Sequence, residues 1–129
     1  MKSVAVALAL SMMFAVGAAA GENTPFTKEK FDALQTSGEL VLVDVYASWC
    51  PTCARQQKII ASFREKHPDV PLKVLTVDFD EQKQWVKYFK APRQSTMLLY
   101  RNGKQLWFSV AETRPEVVFE NLLSAAESN

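Results

Sequence analysis

The sequence predicts an α/β fold built on a mixed central sheet of about four strands with helices on both faces. Three observations carry this. Leu40 to Tyr46 is an almost unbroken apolar, β-branched run, the pattern of a central strand buried on both faces. A helical stretch, Pro51 to His67, separates it from a second strand-like run, Leu72 to Phe79, and a strand-helix-strand unit closes as a parallel pair with a right-handed crossover. Asn102-Gly103 sits between two further strand-like runs and marks an antiparallel hairpin. The 129 residues are 48% hydrophobic and 22% charged, enough for one domain with one core.

The elements follow in order. Gly21 to Pro25 reads as a loose start. Thr27 caps the first helix, with Phe26 and Phe31 at the positions of a hydrophobic staple and Phe31 and Leu34 on its buried stripe. Ser37-Gly38 ends that helix, Gly38 taking the left-handed terminal conformation. In the second helix Pro51 fits the first turn and Pro68 stops the helix. Ile59, Ile60 and Phe63 make its apolar stripe; Arg55, Lys58, Arg64, Glu65 and Lys66 face water. His67, the only histidine, stands at the exposed helix end as a dipole partner or a plain surface residue. Glu81 to Phe89 is a short helix whose Trp85, Val86, Tyr88 and Phe89 read as core, and Lys90 to Ser95 is a loop containing Pro92. Thr96 to Tyr100 and Gln105 to Val110 are the hairpin strands. Thr113-Arg114-Pro115-Glu116 has the form of a capping box, and the last helix runs to about Ala126 with Val117, Val118, Leu122 and Leu123 inward. There are no internal repeats and no low-complexity tracts.

The first twenty residues have a different character. Lys2 gives a positive start, Val4 to Val16 is nearly all apolar, and Ala18-Ala19-Ala20 offers a small-residue cleavage site. This is the layout of a secretory signal peptide over residues 1–20, with an uncleaved N-terminal anchor as the alternative. Cleavage after Ala20 leaves a domain over residues 21–129 and removes one positive charge, Lys2, from a formal net charge of +1, leaving zero. Such a balance gives no electrostatic footprint for nucleic acid or an anionic membrane surface.

The chemistry concentrates in Trp49-Cys50-Pro51-Thr52-Cys53, which holds both cysteines of the chain. The pair lies where the first long strand gives way to a helix, and a helix N-terminus favours a thiolate through its free N–H groups and dipole. The thiolate attacks disulfides, and a second thiol one turn away resolves the mixed disulfide that results. Export puts the pair in an oxidising compartment, so a structural disulfide and a metal site are the competing readings. A loop this short removes only on the order of 2 kcal/mol of unfolded-state entropy. One Cys-x-x-Cys and one histidine fall short of the four ligands of a structural zinc site. The redox reading is preferred, with no metal and no cofactor beyond the cysteine pair itself. Asp44, a carboxylate within the buried strand six residues before Cys50, is expected to have a raised pKa and to serve that site.

These elements, and above all the joined stretch Val41-Leu-Val-Asp-Val-Tyr-Ala-Ser-Trp-Cys-Pro-Thr-Cys53, resemble the thioredoxin family; Thr96-Met-Leu-Leu-Tyr-Arg-Asn-Gly103 resembles its later strand and turn. The likeness spans about Phe26 to Ala126. It implies that Cys50 is the exposed nucleophile, Cys53 the buried resolving cysteine and Asp44 the buried acid that assists proton transfer at the resolving thiol. It also implies that Trp49, Pro51 and Thr52, with the facing loop Gln94, Ser95 and Thr96, shape substrate docking. The chain departs from the family where a cis-proline is usual. Ser95 fills that slot after Gln94, Pro92 lies three residues earlier, and the Gln94-Ser95 bond is expected to be trans because a non-proline cis bond costs about 2.5–4 kcal/mol. Thr76 stands where the family often has a lysine near the acid, and Tyr46 where a tryptophan is common.

The function expected is that of a thiol–disulfide oxidoreductase acting on protein disulfides, working as a reductant. Pro51-Thr52 resembles the dipeptide of exported members of the family, including reductants of cytochrome c maturation. The implied setting is the periplasm, the implied partners are protein disulfides and a membrane electron donor, and a monomer is expected. The alternative is a binding module, a metal carrier or adaptor, whose altered Ser95 loop does not support turnover.

Overall fold

A computed structural model describes residues 23–128. The segment read as a signal peptide, residues 1–20, lies outside the described residues. The elements are β1 (Asn23–Pro25), α1 (Lys28–Thr36), β2 (Leu40–Tyr46), α2 (Pro51–Lys66), β3 (Leu72–Asp78), α3 (Lys83–Tyr88), β4 (Thr96–Arg101), β5 (Lys104–Val110) and α4 (Pro115–Glu127). They form one sheet in the order β1-β3-β2-β4-β5. β3 pairs parallel with both β1 and β2, while β4 pairs antiparallel with β2 and β5. Among the described residues no helix is long and apolar enough to cross a membrane.

β2 sits at the centre, and its alternate residues feed two cores. Leu40 and Leu42 join Val74, Met97 and Leu99 under α2 and α4, against Ile60, Phe63, Val118 and Leu122. Val41, Val43 and Val45 join Leu75, Val77 and Leu98 on the other face, under α1 and α3, against Phe26, Phe31, Val86 and Phe89. Burial on both faces explains why the strand reads as continuous rather than alternating. An aromatic cluster closes the second face. Phe26 lies 5.8 Å from Phe31 and meets Phe89 edge-on at 5.3 Å, geometry favoured by the ring quadrupoles.

Local signals act as expected at several ends. The Thr27 hydroxyl accepts from the Lys30 N–H at 3.2 Å, and Gly38 takes φ +72° past the end of α1. Asn102 and Gly103 take φ +53° and +74°, the paired left-handed conformations of a turn that matches strand twist.

Five readings need correction. The sheet has five strands, not four, because Asn23–Pro25 pairs with β3 instead of lying loose. Three residues carry no periodicity to read, and a proline is tolerated on an edge strand. The capping box does not form. Arg114 is the N-cap and makes no side-chain cap bond. The residue before a proline is driven to extended backbone, and Arg114 precedes Pro115 with ψ 112°, so the helix starts one residue later than a Thr113 cap requires. Tyr88 is 52% exposed rather than core, since α3 has six residues and one buried face, that of Val86. His67 is half-buried, with its ring 5.0 Å from Phe63 and 5.8 Å from Phe119, and does not stand free at the surface. Arg64 is half-buried too and donates from Nη1 to Asn23 Oδ1 at 3.1 Å.

Arg101, the last residue of β4, holds the end of α4. Its Nη1 donates to the carbonyls of Ala125, Ala126 and Ser128 at 3.2, 3.1 and 2.6 Å. Terminal helix carbonyls have no partner within the helix, and a cation there also meets the negative end of the dipole. Arg101→Ala is expected to lower stability by about 1–3 kcal/mol, read as a lower urea midpoint at pH 7, with disulfide exchange unchanged.

Candidate active site

The site grows from the junction between β2 and α2. The chain leaves β2 at Tyr46, turns through Ala47 to Trp49, and enters α2 with Cys50 as its N-cap and Pro51 in the first turn. Pro51 has no N–H to waste at a position where none would be used. Cys50 takes the place usually held by Ser, Thr, Asp or Asn, and its sulfur accepts from the Cys53 N–H at 3.1 Å. A sulfur there receives a backbone donor and the positive helix end together, the environment that lowers a thiol pKa. Cys50 and Cys53 are joined as a disulfide with Cα atoms 5.2 Å apart, well inside the usual span.

Cys53 is fully buried, and Cys50 is only 4% exposed. The expectation of an exposed Cys50 is therefore corrected for the disulfide form, in which its sulfur turns inward toward Cys53 and the loop opposite. The exposed surface at this end belongs to Trp49, at 57%, and to Pro51; Thr52 is half-buried. Trp49 is not loose. Its indole Nε1 donates to Asp80 Oδ2 at 2.8 Å, which ties it to the segment after β3.

Asp44 lies on the α2 side of β2, in register with Thr76 of β3 and Met97 of β4, and is fully buried. Burial pushes its carboxyl from the ordinary 3.8 up to about 7, against the opposing pull of a hydrogen bond donated by Gln57 Nε2 to Oδ2. Oδ1 and the neighbouring Thr76 Oγ1 are both buried and have no hydrogen-bond partner. Gln57 stands four residues after Cys53 on the same helix face, so the acid is tied to α2 one turn beyond the buried cysteine. Gln57 Oε1 in turn accepts from Asn23 Nδ2, which is how β1 reaches the site.

Ser95 closes the site from the opposite side. No cis peptide bond occurs among the described residues, so the Gln94-Ser95 bond is trans. Ser95 is fully buried and takes φ +62°, left-handed backbone that non-glycine residues seldom adopt. Its N–H donates to Val45 O at 2.8 Å, and its carbonyl accepts from Ala111 N at 2.9 Å and from Gln56 Nε2 at 3.0 Å. Its hydroxyl oxygen is 3.7 Å from Cys50 Sγ. Thr96 is buried and donates to Arg93 O at 2.6 Å, Gln94 is half-buried, and Pro92 is exposed. The backbone groups of Ser95 are thus engaged inside the fold, and the side chain is what it turns to the cysteines.

Cys50, Cys53 and Ser95 come together, Asp44 is tied to the helix of the cysteines through Gln57, and Trp49, Pro51, Thr52, Gln94 and Thr96 neighbour them along the chain. The sequence reading missed Gln56, Gln57 and Asp80. Periodicity marks the first alone: Cys53, Gln56, Ile60 and Phe63 follow the i, i+3, i+7 rule, so the inward stripe passes through Gln56, while Gln57 lies beside it. Nothing in the sequence marks Asp80 as the partner of Trp49. Among the described residues no group of three His, Cys, Asp or Glu side chains is placed to hold a metal ion.

A sheet of this topology, with a Cys-x-x-Cys pair at the start of the helix after its central strand, defines a dithiol–disulfide exchange protein. The model of the Thioredoxin family matches residues 22–125, and the chain belongs to that family. It is 32% identical over 80 residues to thioredoxin-1 of Saccharomyces cerevisiae, an alignment that covers 62% of this chain and 76% of that protein. It is 30% identical over 82 residues to protein disulfide-isomerase A4 of Rattus norvegicus, covering 60% of this chain but 12% of that longer protein. Among solved structures, the protein named Trxlp from Edwardsiella tarda EIB202 is similar with a TM-score of 0.73 and 39% identity, covering 78% of this chain and 98% of that one. A mutant thioredoxin from Halobacterium salinarum shares the fold, at 20% identity and a TM-score of 0.71, covering 83% of this chain and 92% of that one. The chain is a thiol–disulfide oxidoreductase of this family.

Proposed function

We propose that the protein reduces protein disulfides, with Cys50 as nucleophile, Cys53 as resolving thiol and Asp44 as proton acceptor. The Cys50 thiolate attacks one sulfur of the partner's disulfide, and the other leaves as a thiolate and takes a proton. Cys53 loses its proton toward Asp44 and attacks Cys50 Sγ. The partner departs with both thiols, and the Cys50–Cys53 disulfide carries the oxidation. The single observation behind this is Cys50 as the cap of α2, its sulfur receiving the Cys53 N–H at 3.1 Å. A carboxyl near 7 suits Asp44 to exchange a proton at neutral pH. Its bare Oδ1 leaves one oxygen free for that proton. The similarity to a protein named thioredoxin supports the reducing direction.

Trp49, Pro51, Thr52 and Gln94 form the docking rim, buried Thr96 braces the facing loop from within through its bond to Arg93 O rather than meeting substrate, and the couple needs no cofactor. The metal-carrier reading finds no group of three His, Cys, Asp or Glu side chains to support it among the described residues. The charged start, apolar run and Ala18-Ala19-Ala20 of the N-terminus support export to the periplasm. An exported reductant has to be re-reduced, which calls for a membrane electron donor, and the protein acts as a monomer. The test is insulin reduction by the purified mature protein with dithiothreitol as donor. Catalysed precipitation of insulin chains is expected, and a rate equal to dithiothreitol alone would refute the reading.

A further inference from the structure

We infer that Ser95 is a catalytic residue whose hydroxyl donates a hydrogen bond to the Cys50 thiolate in the reduced protein, and that Gln56 is the positioning residue that holds it there. The inference rests on the reading of Cys50 as the reacting sulfur and adds a second donor to the one the helix supplies. The Ser95 hydroxyl oxygen lies 3.7 Å from Cys50 Sγ while that sulfur is a neutral disulfide atom, a weak acceptor. Reduction turns the same sulfur into an anion, for which a hydroxyl is a strong, charge-assisted donor that tightens as the charge develops. Both residues are buried, at 0% and 4% exposure, so water competes little for either.

The backbone at Ser95 supports a selected position rather than a filled gap. A non-glycine residue at φ +62° is costly, and glycine would take that conformation freely. Three hydrogen bonds keep it, from the Ser95 N–H to Val45 and to the Ser95 carbonyl from Ala111 and Gln56. Gln56 is itself unusual. It is fully buried in the stripe of α2 that also carries Cys53, Ile60 and Phe63, and its amide nitrogen spans two carbonyls, Ser95 O at 3.0 Å and Glu112 O at 3.1 Å. Its Oε1 has no partner, a cost that a hydrophobic residue there would avoid. The amide locks the helix of the cysteines to the loop that faces them, and so fixes the distance between hydroxyl and sulfur.

A donor that stabilises the thiolate lowers the Cys50 pKa and favours the dithiol over the disulfide, so Ser95 makes the couple less reducing than it would otherwise be. The experiment is the pH dependence of iodoacetamide labelling at Cys50 in the reduced protein, followed by fragment-level peptide mapping so that Cys53 does not enter the readout. Ser95→Ala is expected to raise the Cys50 pKa by roughly one pH unit. It should also shift the equilibrium with glutathione about tenfold toward the disulfide, a potential about 30 mV more negative. Ser95→Gly, which also lacks the hydroxyl but takes φ +62° freely, should raise the pKa as Ser95→Ala does. Gln56→Met should move the pKa in the same direction, and should add nothing in the Ser95→Ala background. An unchanged pKa in Ser95→Ala overturns the inference, as does a wild-type pKa in Ser95→Gly. Labelling reads the sulfur without any protein substrate. Failure of insulin reduction with the Ser95 shift intact would therefore count against the proposed function and leave this inference standing.

Discussion

Cys53→Ser is expected to accumulate a covalent adduct with partner proteins through Cys50, whereas Cys50→Ser is expected to form none. The asymmetry comes from the helix start. Only the Cys50 sulfur sits at the N-cap, where the Cys53 N–H at 3.1 Å and the helix dipole stabilise its thiolate. Cys53 is fully buried beneath it, out of reach of a folded partner. Without Cys53 the mixed disulfide has no internal thiol to resolve it and persists. Without Cys50 the first bond never forms. Turnover with insulin falls to the uncatalysed rate in both variants, so the discriminating measurement is non-reducing electrophoresis after exposure to oxidised insulin. Adducts on Cys50→Ser and none on Cys53→Ser would reverse the assignment.

The next largest effect is expected of Asp44→Asn, and it is a gain in stability that depends on pH. The carboxyl sits at about 7 in the folded chain against 3.8 for an unperturbed one. Below about pH 4 both forms are protonated, and burial carries no charge penalty. Between about pH 4 and 7 the unfolded chain ionises while the folded chain keeps its proton, so stability falls as pH rises. Above 7 the full penalty is present, about 4 kcal/mol for a shift of this size. Asparagine has nearly the same shape, still accepts from Gln57 and cannot ionise. Oxidised Asp44→Asn is therefore expected to match wild type at pH 3 and to exceed it at pH 8 by up to about 4 kcal/mol, read from urea midpoints at the two pH values. The same substitution removes the proton acceptor proposed for Cys53, so insulin reduction should slow and lose its inflection near neutral pH. A stability difference that does not change with pH would mean that Asp44 is not the titrating group. The protein keeps this carboxylate at the expense of stability, and such a pattern is expected of groups retained for chemistry.

Much of the fold was legible because the signals were local and strong. The run Leu40 to Tyr46 has no polar position except Asp44, and only a strand with cores on both faces wants that. Asn102-Gly103 specifies its turn through the two left-handed conformations it adopts. β1 was not legible, because three residues are recruited by the edge of β3 and by side chains of α2, contacts that no local pattern encodes. The N-terminus of α4 was misread because two local rules compete there, and the constraint that Pro115 imposes on Arg114 wins over the Thr113–Glu116 pattern. In the site, the cysteine pair and the acid stood out as chemistry in unusual places, and Ser95 stood out as a departure from a family pattern. The glutamines did not: Gln56 falls on the inward stripe but its carbonyl partners lie in distant loops, and Gln57 looks like ordinary helix surface until β1 and β2 are brought to it.

The claim at the centre is that Cys50 and Cys53 cycle between dithiol and disulfide at a potential that lets the dithiol reduce protein disulfides. The direct test is the equilibrium of the purified mature protein with glutathione buffers of known potential, with the two states separated by thiol alkylation. A reductant is predicted to titrate near −270 mV, within about 30 mV. A midpoint near about −120 mV, the range of strong protein oxidants, would contradict the account.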